Sequence, residues 1–241
     1  MSKRTDSPGL GSLASAAFTA ASTLIVTGFA GVVGVVIAHH FGRTEETDGF
    51  FAAYGVFIVV VLASQAIRVA VLPPLARAKQ EGRLAGEVTG FAIALALAAV
   101  PLLLLGWLFA PPIADLLTGA GSETAQDVCA HALHWLVPAG VAYLFAGIAA
   151  SGLAALDDYA TAALGYALGG TAALIEIVGR VDDDGIAALW RGVALNGAIA
   201  LAVPVLGLVI RATRARMPRS AVRPTGVRLR KSPDGRPGLR R

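Results

Sequence analysis

The stretch Phe50–Leu72 reads FFAAYGVFIVVVLASQAIRVAVL, and it decides what kind of protein this is. Its only charged side chain is Arg68, and it exceeds the roughly 20 residues a helix needs to cross a hydrocarbon layer. Lipid offers no partner to an unpaired amide, so a crossing segment must coil and satisfy its own backbone. The period-two alternation of a barrel strand is absent.

Five more stretches share this character: Ser15–His39, Val88–Ala110, Val128–Ser151, Ala160–Val178 and Ile186–Ile210. The expected fold is an all-α membrane protein, a six-transmembrane-helix bundle over residues 15–210. A short polar segment, 1–14, precedes it and a tail, 211–241, follows. Composition agrees, because 56% of the 241 residues are hydrophobic and 15% charged, against roughly 25% charged in soluble domains. The apolar stretch after Gly11 has no small-residue cleavage site on a short hydrophobic core, so it reads as a retained first span and not as a signal peptide.

Charge sets the expected orientation. Lys3, Arg4, Arg77, Lys79, Arg83, Arg211, Arg214 and Arg216 fall on one side of the six spans, and Arg43 and Arg180 on the other. Basic loops stay cytoplasmic, so the chain is expected in the cell (inner) membrane with both termini on the cytoplasmic side. The segment Arg211–Arg241 holds eleven Lys/Arg and one acid, Asp234. With Pro218, Pro224, Pro233 and Pro237 interspersed it has no apolar period and is expected to be disordered. Placed directly after the last span, it suits anionic lipid better than nucleic acid, which is not an expected partner.

Small residues promise close helix packing, with Gly28, Gly31 and Gly34 in the first span and Gly165, Gly169 and Gly170 in the fifth. Pro101, Pro138 and Pro204 lie inside spans and should bend them. An ionisable group inside a span costs a few kcal/mol, about 3 on insertion scales, and calls for a reason. Arg68 either snorkels to the nearby interface or faces a substrate. Glu176 and Arg191 come to similar depth across a short hairpin, which predicts a structural ion pair. His39 and His40 end the first span while His131 and His134 begin the fourth. Neighbouring histidines diverge on a helix, so interfacial roles are expected and no metal site. Asp182, Asp183 and Asp184 read as a solvated turn, and the lone Cys129 excludes an internal disulfide. No metalloprotease helix, phosphate loop, serine elbow or carboxylate pair occurs. The chain is read as a non-enzyme without cofactors.

The segment Gly31–Leu84 has a helix closed by Phe41-Gly42, an acidic turn Thr47-Asp48-Gly49-Phe50-Phe51, a second helix ended at Pro73-Pro74 and a basic loop. It resembles the first hairpin of the MviN/MurJ-type lipid II flippases, within the multidrug, oligosaccharidyl-lipid and polysaccharide exporter superfamily. Weaker similarity extends over about residues 15–210. The resemblance implies one lobe of a two-lobed transporter with a cavity between lobes for a polyprenyl-linked sugar headgroup. A single lobe then needs a second lobe or self-association. Asp48 matches the family's turn acid, which implies gating or lobe contact. Val33 and His39 stand where the family's first helix carries cavity arginines. Anion binding is therefore left to Arg68 and Arg191, with His39 a further candidate. The expected function is a flippase-like half-transporter for a lipid II-like, pyrophosphate-linked envelope glycan precursor. A non-transporting membrane scaffold or regulator of envelope synthesis, and a truncated remnant, remain as alternatives.

Overall fold

A computed structural model describes residues 31, 33–119 and 121–216. Among them are seven helices and no strand: α1 (33–40), α2 (Glu45–Gln80), α3 (Leu84–Leu108), α4 (Ala110–Thr118), α5 (Glu123–Ala155), α6 (Tyr159–Asp184) and α7 (Ala187–Arg216). Five of them, α2, α3, α5, α6 and α7, are long and apolar enough to cross a membrane. Most of the expected first span, and the tail beyond Arg216, lie outside the described residues.

The ends of the helices follow from local chemistry. Thr44 and Thr47 close a reciprocal cap on α2, the Thr47 hydroxyl accepting from the Thr44 amide at 3.0 Å. Glu45, Glu46 and Asp48 fill the first turn and Arg77 and Lys79 the last, matching the helix dipole at both ends. Ser122 caps α5 and Asp158 caps α6. Gly119 and Gly185, both with positive φ, close α4 and α6.

Helix α5 is the axis of the bundle. In its most apolar window 78% of residues are buried, against 6% in α3 and 17% in α2 and α7. Its sequence explains this, since Ala, Gly and Ser over Ala146–Ala155 let neighbours approach from every side. Helices α2, α3, α4 and α7 pack around it and α6 pairs with α7. The outward surface carries Val59, Leu62, Val69, Leu97 and Ile175, all more than 60% exposed. A surface this apolar is a liability in water and a match for lipid.

The bundle has two chemically distinct ends. At one, which we term the acidic end, lie the starts of α2, α5 and α7 and the ends of α1, α3 and α6. At the other, the basic end, Lys79 pairs with Asp157 at 2.6 Å and Arg211 with Asp158 at 2.6 Å.

Several expectations are corrected. Helix α2 does not stop at Pro73-Pro74 but runs to Gln80. An interior proline costs about 3 kcal/mol, and here Val71 and Leu75 bury against Ala155, with Leu84, Val88 and Phe91 packed beside them. The connection after Ala110 contains α4, whose Pro111 and Pro112 occupy a first turn where no amide is needed. Asp182–Asp184 form the last turn of α6 and not a loop. The tail does not begin at Arg211, because α7 continues to Arg216 and Arg211 is tied to Asp158. Pro101, Pro138 and Pro204 lie inside helices, as expected, and each helix continues past its proline. Among the described residues nothing lies within 4 Å of a Cβ added at Gly31 or Gly34, and Gly28 lies outside the described residues.

Candidate anion site within the bundle

Helices α2 and α6 flank α5 and scarcely touch one another. Polar side chains from four helices converge in the interval between them. The approach of α2 to α5 depends on Gly147, where a Cβ would lie 2.8 Å from Ser64 Oγ and 3.1 Å from Arg68 Cγ. Ser64, fully buried, donates to the Tyr143 carbonyl at 2.7 Å. Ser151 donates to the Gly147 carbonyl at 2.8 Å. The Ser64 bond, with Ser151 Oγ also 3.4 Å from the Arg68 carbonyl oxygen, ties this stretch of α2 to α5.

Arg68 is half-buried. Its guanidinium donates to Gln65 Oε1 at 3.2 Å and lies over the Tyr166 ring, 5.7 Å from the centroid. A cation over an aromatic face gains about 0.5–2 kcal/mol, depending on desolvation. Among the described residues no carboxylate pairs with it. A guanidinium in this position retains free donors in a fork suited to phosphate or carboxylate.

From Tyr166 an aromatic ladder leads away from Arg68, across α5 and along α2 toward its start. Phe50, Tyr54 and Phe57 follow one another at 5.6 Å between ring centroids. Phe57 meets Tyr143 edge-on at 5.6 Å, and Tyr143 lies 5.8 Å from Tyr166. Asn196 of α7 comes alongside Tyr143. Among the described residues the Tyr166 hydroxyl and Asn196 Oδ1 have no hydrogen-bond partner, though the Asn196 side chain reaches Tyr143.

The other residues singled out from sequence do not join this cluster. Glu176 and Arg191 do not pair. Glu176 lies 3.3 Å from Arg180, one turn along α6, and Arg191 donates to Asp184 at 2.6 Å. Helix α6 runs on past Glu176 to Asp184, which places Asp184 and not Glu176 beside the start of α7. Arg191 is thus neutralised at the acidic end and is a poor anion ligand. His39 is exposed at the end of α1, with its ring 5.4 Å from that of His40. His40 faces Asp182 at 3.4 Å. Asp48 is exposed in the first turn of α2, open to a contact outside the chain. His131 and His134 each bond a carbonyl four residues back at 2.8 Å. Among the described residues no three His, Cys, Asp or Glu side chains converge as a metal site would require. Cys129 is fully buried.

Of the groups expected to bind anion, Arg68 alone is half-buried along a span without a counter-charge among the described residues. Comparison with protein-family models, curated proteins and solved structures finds no match to this chain.

The basic end carries its own electrostatic lock. Partial burial raises the Asp158 carboxyl, but hydrogen bonds from the Thr161 side chain and backbone and from Arg211 outweigh it and hold the group below the ordinary carboxylate value. One residue thereby caps α6 and clasps α7. Tyr143, Tyr166, Ser64, Ser151 and Asn196 were not singled out from sequence. Uncharged polar residues are common in spans, and the signal they carry is convergence, which needs three dimensions.

Proposed function

We propose that this chain is one lobe of a flippase-like transporter for a polyprenyl-pyrophosphate-linked cell-envelope glycan precursor. It acts in the cell membrane together with a second lobe or another copy of itself. The observation that carries the reading is Arg68, a half-buried guanidinium among apolar spans with no carboxylate partner among the described residues. Insertion of such a group costs a few kcal/mol. A transient phosphate ligand explains why the cost is borne, since a charge-assisted, bidentate bond to phosphate offsets it when cargo is bound.

The sequence resemblance over Gly31–Leu84 supports the same reading. So does the placement of Arg68 where α2 and α6 flank α5 with few contacts between them, a side of the bundle that a facing lobe could cover. The cluster of Arg77, Lys79, Arg83, Arg211 and Arg214 at one end supports placing that end in the cytoplasm. Asp48, exposed at the opposite end, is assigned to contact with the second lobe.

The test is translocation of a lipid-linked glycan in proteoliposomes, read by headgroup accessibility to an added enzyme. Arg68→Gln should slow it at least tenfold and Arg68→Lys should retain part of the rate, because a point charge replaces a fork. A wild-type rate for Arg68→Gln ends the proposal. Native mass spectrometry should show assemblies larger than one chain.

A further inference from the structure

Helices α3 and α7 also flank α5 and scarcely touch one another. Between them lies an open trough of about 630 Å³. Two close approaches set its walls. A Cβ at Gly106 of α3 would lie 2.8 Å from Val137 Cγ1, and one at Gly197 of α7 would lie 2.9 Å from the Ala139 carbonyl oxygen. Glycine at both points seats each wall helix directly on α5. The floor between them is left hollow because Ala139, Ala142, Ala194 and Ala198 line it.

The trough is polar at one end only. Helix α3 finishes at the acidic end of the bundle, where α5 and α7 begin. Trp107, His134 and Trp135 therefore form the rim nearer that end, and Ala142 and Ala198 lie deeper. From His134 to Ala142 helix α5 advances eight residues, about 12 Å at 1.5 Å per residue. Both indoles are exposed, as in the aromatic belt at a membrane interface. A space floored by alanine offers water no hydrogen-bond partner, so hydrocarbon fills it.

The rim selects the head that accompanies the chain. His134 Nδ1 lies 2.8 Å from the Ala130 carbonyl oxygen, which can only accept, so Nδ1 donates. The neutral ring then keeps a lone pair on Nε2, which has no partner among the described residues. Trp107 packs edge to face against this ring at 5.5 Å between centroids. A head that donates one hydrogen bond satisfies Nε2. No Arg, Lys, Asp or Glu lines the trough. Arg191, the nearest cation along α7 and three residues before Ala194, is taken by Asp184 at 2.6 Å. A phosphate or an ammonium head thus finds no counter-charge at the rim, whereas an uncharged hydroxyl needs none.

We infer that the trough binds a neutral membrane lipid of the diacylglycerol type, its hydroxyl donating to His134 Nε2 and one aliphatic chain lying along the alanine floor. The site is separate from Arg68, which stands where α2 and α6 flank α5, so each assignment stands or falls without the other.

The experiment uses the full chain in phosphatidylcholine nanodiscs and reads its own tryptophans, two of the three lining the trough. Diacylglycerol, phosphatidylglycerol and phosphatidylethanolamine with brominated chains are added in turn, and quenching of tryptophan fluorescence is followed against mole fraction. Diacylglycerol should quench half-maximally at about one fifth the mole fraction of either phospholipid, the worth of one hydrogen bond. Unbrominated diacylglycerol should restore the fluorescence. His134→Phe keeps an aromatic ring against Trp107 and should bring the three lipids to one value. Ala198→Leu, at an exposed position, fills the floor and should weaken diacylglycerol quenching by a similar factor. Unchanged helical content and melting temperature show that both variants fold. Equal quenching by the three lipids in wild type overturns the site and leaves ordinary lipid contact. Preference for either phospholipid overturns the hydroxyl head. A diacylglycerol preference that survives both substitutions overturns the assignment to this trough.

Discussion

Gly197 offers a severe test of the packing, because the same substitution should have opposite effects at two places in the bundle. On α7, a Cβ at Gly197 would lie 2.9 Å from the Ala139 carbonyl oxygen and 3.1 Å from its Cα. Carbon atoms rest at about 3.5–4.0 Å. The obstructing atoms belong largely to the backbone of α5, the most buried helix, so no rotamer change relieves the clash. Gly197→Ala must push α7 from the axis, at about 1–3 kcal/mol for an overpacked interior. At Gly90 on α3 nothing among the described residues lies within 4 Å of the added carbon. There Gly90→Ala keeps only the helix-propensity gain, about 1 kcal/mol. That gain acts equally at both sites, and the difference between the two variants isolates the steric cost. Unfolding in mixed micelles by titration with denaturing detergent, followed by circular dichroism, measures it. Gly197→Ala should unfold earlier than wild type and Gly90→Ala no earlier. Equal stability of the two variants would refute the close apposition of α7 and α5.

Two further outcomes follow from the charges at the ends of the bundle. Asp158 has a carboxyl held below its ordinary value by Thr161 and Arg211, so its contribution to stability is complete above the unfolded-state value and disappears as pH falls through the lower folded-state value. Melting temperature in wild type should drop over that acidic window, and Asp158→Asn should flatten the dependence while retaining the helix cap; an unchanged profile in the variant would place the sensitivity elsewhere. A double-mutant cycle of Arg191→Gln with Asp184→Asn should give a coupling of about 0.2–1 kcal/mol, the range for partly exposed pairs, whereas Arg191→Gln with Glu176→Gln should be additive. Strong coupling in the second cycle would contradict the separation of Glu176 from Arg191.

The resemblance to a flippase lobe rests on sequence pieces in the first hairpin, and Arg68 is the point where those pieces and the geometry meet. Arg191 illustrates the opposite outcome. Depth along the helices brought it level with Glu176, but a helix has a circumference as well as a depth. The extra turn of α6 through Asp184 supplied a nearer carboxylate. Proline was misleading for a similar reason: Pro73-Pro74 reads locally as a stop, and the burial of Val71 and Leu75 on either side carries α2 through it.

The sequence by itself determined that the chain forms long apolar helices, because the cost of bare peptide groups in lipid depends only on local composition and length. It also determined where charge gathers, at the two ends and after the last helix. Tertiary structure decided which helix is central, that Arg191 and not Arg68 meets a carboxylate among the described residues, and which uncharged polar atoms meet. Those outcomes depend on how helices rotate and approach one another, and rotation is set by small residues such as Gly147 and Gly169 acting on partners distant in the chain.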